Sequence, residues 1–120
     1  MAKEKILICD DEEGVRKSLS LILSEKYSVV FAENGEEALQ ILKNSADIKV
    51  VLLDIKMPRK SGLDVLKEIK SHNKQLPVII VTGYQSVETA AEVIKNGASN
   101  YIVKPFDSKV VLDIVRKTVS

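Results

Sequence analysis

The sequence predicts an α/β domain built as one open, doubly wound sheet of five parallel strands with five helices. Three observations predict it. Short apolar runs rich in β-branched residues occur five times, at residues 5–9, 27–32, 50–53, 77–81 and 100–103. Each is followed by a segment whose apolar residues recur at helical spacing. The connections are short, and no linker, repeat or low-complexity stretch interrupts them. Strict strand–helix alternation calls for a parallel sheet covered by helices on both faces. Five units are too few for an eight-stranded barrel. The commonest order for a five-stranded sheet of this kind is 2-1-3-4-5, which periodicity alone does not impose. Residues 1–120 read as a single domain.

The first strand, Lys5-Ile6-Leu7-Ile8-Cys9, stops at Asp10 and Asp11, and Val15, Leu19, Ile22 and Leu23 then mark a helix to about Ser24. The second strand, residues 27–32, is followed by Asn34, placed to cap a helix with Glu37 at its third position. Ala38, Leu39 and Leu42 give that helix its apolar side. Val50-Val51-Leu52-Leu53 reads as a strand buried on both faces that ends at Asp54, and Pro58 forbids its continuation. Ser61 caps a helix carrying Leu63, Leu66 and Ile69. The fourth strand ends in Thr82-Gly83. Ser86 then starts a helix containing Val87, Ala90, Ala91 and Ile94, closed by Gly97. The fifth strand ends in Lys104-Pro105, and a last helix from Asp107 or Ser108 carries Val111, Ile114 and Val115.

The 120 residues are enough to bury a core without staples. With 18 basic and 17 acidic side chains the net charge is +1, which gives no electrostatic footprint for nucleic acid or an anionic membrane. A lone cysteine, Cys9, excludes an internal disulfide and points to a reducing compartment. No stretch is long and apolar enough to span a bilayer, and the start of the chain leaves no room for a signal peptide. A cytoplasmic location is the expectation.

Open α/β sheets bind ligands outside the carboxyl ends of their strands, where the strand order reverses. In the order 2-1-3-4-5 that point lies between the first and third strands, which end in Asp10, Asp11 and Asp54. The fourth and fifth strands bring Thr82 and Lys104 to the same rim. Three crowded carboxylates need a counter-charge. A hard divalent cation such as Mg2+ supplies it and leaves positions for water and phosphate oxygens. No histidine or cysteine is placed for zinc, since His72 falls at a helix end. A metal, a lysine and a hydroxyl facing a carboxylate are the parts phosphoryl transfer requires, with Asp54 the nucleophile.

Asp10-Asp11, Asp54 with Met57-Pro58 and Gly62, Thr82-Gly83, and Tyr101 with Lys104-Pro105-Phe106 together resemble the receiver domain of response regulators in two-component signalling. Each piece alone is weak, but all of them in register at four strand ends are specific. The resemblance spans essentially the whole chain and implies a flavodoxin-like fold. It implies that Asp54 accepts a phosphoryl group from a sensor histidine kinase or histidine phosphotransfer protein. Asp11 and Asp54 would ligate Mg2+ directly, Asp10 through water, and the backbone carbonyl of Lys56 would complete the protein ligands. Lys104 and Thr82 would contact the phosphoryl group, and Tyr101 would turn inward as the switch aromatic. In the family the bond matching Lys104-Pro105 is typically cis. Lys56 and Tyr84 would occupy rim positions that tune dephosphorylation. An output domain or a homodimer would engage the face of the fourth helix, fifth strand and fifth helix. Such a domain is a switch, not an enzyme turning over a separate substrate.

The plain alternatives are a helix-start cluster for Asp10, Asp11 and Glu12, and a half-buried core role for Tyr101. The four strand ends taken together outweigh the first. The second leaves Tyr101 the weakest member of the set. Cys9 reads as inert core and Met57 as packing. Two rival functions share the topology. An aspartyl-phosphate-forming hydrolase commonly carries Asp-x-Asp after its first strand, where this chain has Asp10-Asp11-Glu12-Glu13. A flavin module needs a phosphate-cradling loop at the same place, which those four acids oppose.

Overall fold

A computed structural model describes residues 3–83 and 86–119. Tyr84, named above as a rim position, lies outside the described residues. The order of elements is β1 (Lys5–Cys9), α1 (Glu13–Leu23), β2 (Ser28–Ala32), α2 (Gly35–Asn44), β3 (Ile48–Leu53), α3 (Gly62–His72), β4 (Val78–Thr82), α4 (Val87–Lys95), β5 (Asn100–Val103) and α5 (Ser108–Val119). All neighbouring strands pair in parallel, in the order β2-β1-β3-β4-β5. The expected fold and strand order are both present.

Alternation along the strands divides the core between two faces. Leu7, Cys9, Val51, Leu53, Val78 and Ile80 face one cluster with Ala38, Val65, Leu66, Ile69 and Val93 from α2, α3 and α4. Ile6, Ile8, Val50, Leu52, Ile79, Val81 and Ile102 face the other with Leu19, Leu23, Val111 and Val115 from α1 and α5. Every residue of β4 is buried, as suits an interior strand covered by helices on both faces.

The helices start where their capping residues stand. The side chains of Asn34, Ser61 and Ser86 accept from the backbone amides of Glu37, Asp64 and Thr89. Glu37 also reaches back to the amide of Glu33, 3.0 Å away. Gly97, at φ +102°, turns the chain beyond α4 in the left-handed region. Gly62 serves a different need. Its amide donates to the Ile55 carbonyl at 2.7 Å, and a side chain there would overlap the Asp54 carbonyl. This close approach fixes α3 against the segment that follows β3.

Two local expectations are corrected, and the structure adds which side of α4 docks. β3 begins at Ile48, earlier than residue 50, because the pairing with β1 shifts register between Lys5 and Ile6. The exposed Lys49 falls at that irregularity and masks the strand pattern. Tyr27 belongs to the turn before β2, its amide bonded to the Leu23 carbonyl at 2.9 Å, while its ring lies in the α1–α5 core. In α4 the core residue is Val93, with Val87 and Ile94 on the surface at 82% and 49% exposure. Those two lie about 100–120° around the helix from Val93, too far to share its face.

Candidate functional site

Strand pairing continues one step past the strands and delivers the polar residues to one rim. The Asp10 amide donates to Ala32 of β2, the Asp54 amide to Cys9 of β1, and the Lys104 amide to Thr82 of β4, at 2.9–3.1 Å. Asp10, Asp54 and Thr82 are buried at 2%, 4% and 1% exposure, while Asp11 is exposed. Carboxylate oxygens of Asp10, Asp11, Glu12 and Asp54 all lie within 4.8 Å of one another.

The Lys104 ammonium counters this cluster. Lys104 Nζ lies 2.9 Å from Asp10 Oδ2, 3.1 Å from Asp54 Oδ2 and 3.4 Å from Glu12 Oε1. Burial pulls the ammonium down, but the hydrogen bond to Asp10 and the nearby carboxylates outweigh it and hold Lys104 above the ordinary lysine value. Burial pushes the Asp10 carboxyl up. The Glu12 amide and Lys104 do not cancel this, and the Asp54 charge adds to it. Burial therefore disfavours the ionised form of Asp10 despite Lys104.

The remaining polar contacts hold the acids in place. Asp10 Oδ1 accepts from the Glu12 amide at 2.9 Å, and Asp54 Oδ1 from the Lys56 amide at 3.2 Å. Tyr101, in register with Ile80, is half-buried on the α2–α4 side. Burial, and after it the Asp54 charge, raises its phenol above the usual value. The Lys104-Pro105 bond is cis. Cys9 is buried in the core, its Sγ 3.6 Å from Met57 Sδ. His72 is the exposed last residue of α3.

The structure brings two further residues, Arg16 and Glu12, to the site. The Arg16 guanidinium, nearly buried, donates to the Asp10 carbonyl at 2.7 Å and lies 3.6 Å from Glu33. Its signal was present, since Arg16, Leu19 and Leu23 share one helical stripe and are the buried residues of α1. Glu12 joins the acidic cluster and Lys104, a position its place among helix-start acids did not reveal.

Oxygen donors at this density, without histidine or thiol, suit a hard divalent cation. A doubly wound sheet with an acidic cluster and one lysine at its switch point defines the class. Comparison with known proteins supplies the family. Residues 6–116 match the response regulator receiver domain model. Over 109 residues the chain is 45% identical to the regulatory protein AtoC of Escherichia coli (strain K12), covering 88% of this chain and 23% of AtoC. It is 38% identical over 113 residues to the response regulator MprA of Mycobacterium sp. (strain KMS), covering 93% and 49%. A CheY-like receiver domain from Methanospirillum hungatei JF-1 superposes with a TM-score of 0.92 at 30% identity, covering 98% of this chain and 94% of that one. The receiver domain of NtrX from Brucella abortus gives 0.90 at 32%, covering 95% and 97%.

The chain belongs to the response regulator receiver domain family. It spans about a quarter of the length of AtoC and about half that of MprA. Among the described residues no helix is long and apolar enough to cross a membrane.

Proposed function

We propose that this domain, residues 1–120, is a phosphoacceptor switch in which Asp54 takes a phosphoryl group from the phosphohistidine of a sensor kinase or phosphotransfer protein. The observation that carries it is the convergence of Asp10, Asp11 and Asp54 with Lys104 at the switch point of a receiver fold. Asp10, Asp11, Asp54 and the Lys56 carbonyl would hold Mg2+. Bound there, the ion would neutralise phosphoryl oxygens during transfer.

The chain's own groups do the rest. An Asp54 carboxylate oxygen attacks phosphorus in line as the bond to the donor nitrogen breaks, and the imidazole leaves with that electron pair. The Lys56 amide on Oδ1 orients the carboxylate. Lys104, already 3.1 Å from Oδ2, moves to a phosphoryl oxygen once that oxygen is esterified. Thr82, at the end of the adjoining strand, donates to another. Phosphorylation adds about one negative charge at Asp54. Recruitment of Thr82 and Lys104 then shifts the population of the α4–β5–α5 half, with Tyr101 following Thr82 inward.

That face would engage an output domain or a second copy, in keeping with relatives that are longer than this chain. The domain promotes its own phosphorylation and dephosphorylation without turning over a separate substrate, in the cytoplasm. The test is labelling with radioactive acetyl phosphate. Incorporation of one phosphoryl group per chain, dependent on Mg2+ and absent in Asp54→Asn, is expected. Sustained release of phosphate from a phosphomonoester would favour the hydrolase reading instead.

A further inference from the structure

We propose that Glu12 determines phosphodonor specificity at this site, its carboxylate selecting against donors in proportion to the negative charge they carry. The inference rests on the phosphoacceptor reading of Asp54.

Glu12 is the residue before α1, in the N-cap position, yet its side chain makes no capping hydrogen bond. Glutamate is not among the residues that cap at this position. This one turns instead to Lys104 Nζ, 3.4 Å away. Its backbone is held on both sides. The Glu12 amide donates to Asp10 Oδ1 at 2.9 Å, and the Glu12 carbonyl accepts from the Arg16 amide at 3.1 Å.

Among the carboxylates sharing Lys104, Asp10 and Asp54 are buried, whereas the Glu12 side chain is 64% exposed. Glu12 and Lys104 also line an open recess of about 660 Å3 with Gly14, Val15, Pro105 and Phe106. Asp10, Glu12 and Asp54 share the Lys104 ammonium. Of these three carboxylates, Glu12 carries its charge on the solvent side.

A unit charge about 7 Å from the incoming phosphoryl group, at an effective permittivity of about 50, changes donor affinity about five-fold per donor charge. Removing the Glu12 charge should therefore help a dianionic donor more than a monoanionic one. The effect is electrostatic, so salt must weaken it.

The experiment compares second-order rate constants for phosphorylation by acetyl phosphate, a dianion near neutral pH, and phosphoramidate, a monoanion. Wild type, Glu12→Gln, Glu12→Asp and Glu12→Lys are used, each with its own Mg2+ saturation established by titration. The acetyl phosphate to phosphoramidate ratio should rise about five-fold in Glu12→Gln. It should rise further in Glu12→Lys, stay at the wild-type value in Glu12→Asp, and converge among variants at about 0.5 M salt. A ratio unchanged in both Glu12→Gln and Glu12→Lys, with the wild type labelling normally, overturns the role of Glu12 alone. Failure of the wild type to take label from either donor overturns the phosphoacceptor reading, and this inference with it.

Discussion

Lys104 Nζ lies 3.1 Å from Asp54 Oδ2 across 50 residues of sequence, and 2.9 Å from Asp10 Oδ2 across 94. This single cation ties the end of β5 to the ends of β3 and β1. Replacing it leaves two buried carboxylates facing each other without their partner. Lys104→Ala should cost about 1–3 kcal/mol of stability at neutral pH without divalent cation. Urea unfolding measures it, and an unchanged midpoint would show the bridge to be energetically idle.

Asp10 should behave in the opposite sense. Its carboxyl is held above the ordinary carboxylate value, chiefly by burial. A group whose folded value is raised contributes stability fully present below its unfolded value and lost as pH rises through the folded one. At pH 7 the ionised Asp10 therefore works against the fold. Asp10→Asn, which keeps an acceptor for the Glu12 amide, should raise the cation-free urea midpoint at pH 7. The advantage should vanish below about pH 4, where Asp10 is protonated in folded and unfolded chains alike. Mg2+ should stabilise the wild type and have little effect on the variant.

The strand ends were legible because a buried parallel strand is a continuous apolar run, and its first polar residue announces the rim. Asp10, Asp54, Thr82 and Lys104 each stand at or just past such an end. Asn34, Ser61 and Ser86 were legible for a similar reason, since capping is local chemistry. Glu12 and Arg16 were harder. Their side chains are committed by tertiary contacts, to Lys104 92 residues away and to the Asp10 backbone. The docking side of α4 was not legible, because Val87, Ala90, Ala91 and Ile94 satisfy a helical period while Val93 alone is buried in α4. Propensity fixes the helix but not the side that docks.

Gly62 offers a test of the backbone that supports the site. A methyl group there collides with the Asp54 carbonyl rather than with a flexible side chain. Gly62→Ala should destabilise by about 1–3 kcal/mol, an overpacking cost. It should also impair whatever reaction Asp54 performs, because relief requires the segment after β3 to move. Gly14→Ala, whose added methyl meets open space, is the control and should be close to neutral in both assays.

Cys9 should be inert in the folded protein. Its thiol is buried, and desolvation, with nearby carboxylates, pushes it up to about 12. Iodoacetamide at pH 8 should leave it unmodified in buffer and alkylate it fully in denaturing urea, as intact mass would show. Rapid native alkylation would mean that the core beneath the acidic rim opens.

The central claim is that Asp54 carries the phosphoryl group. The most direct measurement is borohydride trapping after incubation with acetyl phosphate and Mg2+, followed by peptide mass spectrometry. Reduction of an aspartyl phosphate leaves homoserine at the position that was modified. The account predicts homoserine at residue 54, absent when Mg2+ is chelated. Homoserine at Asp10 or Asp11, or phosphorylation that persists in Asp54→Asn, would contradict it.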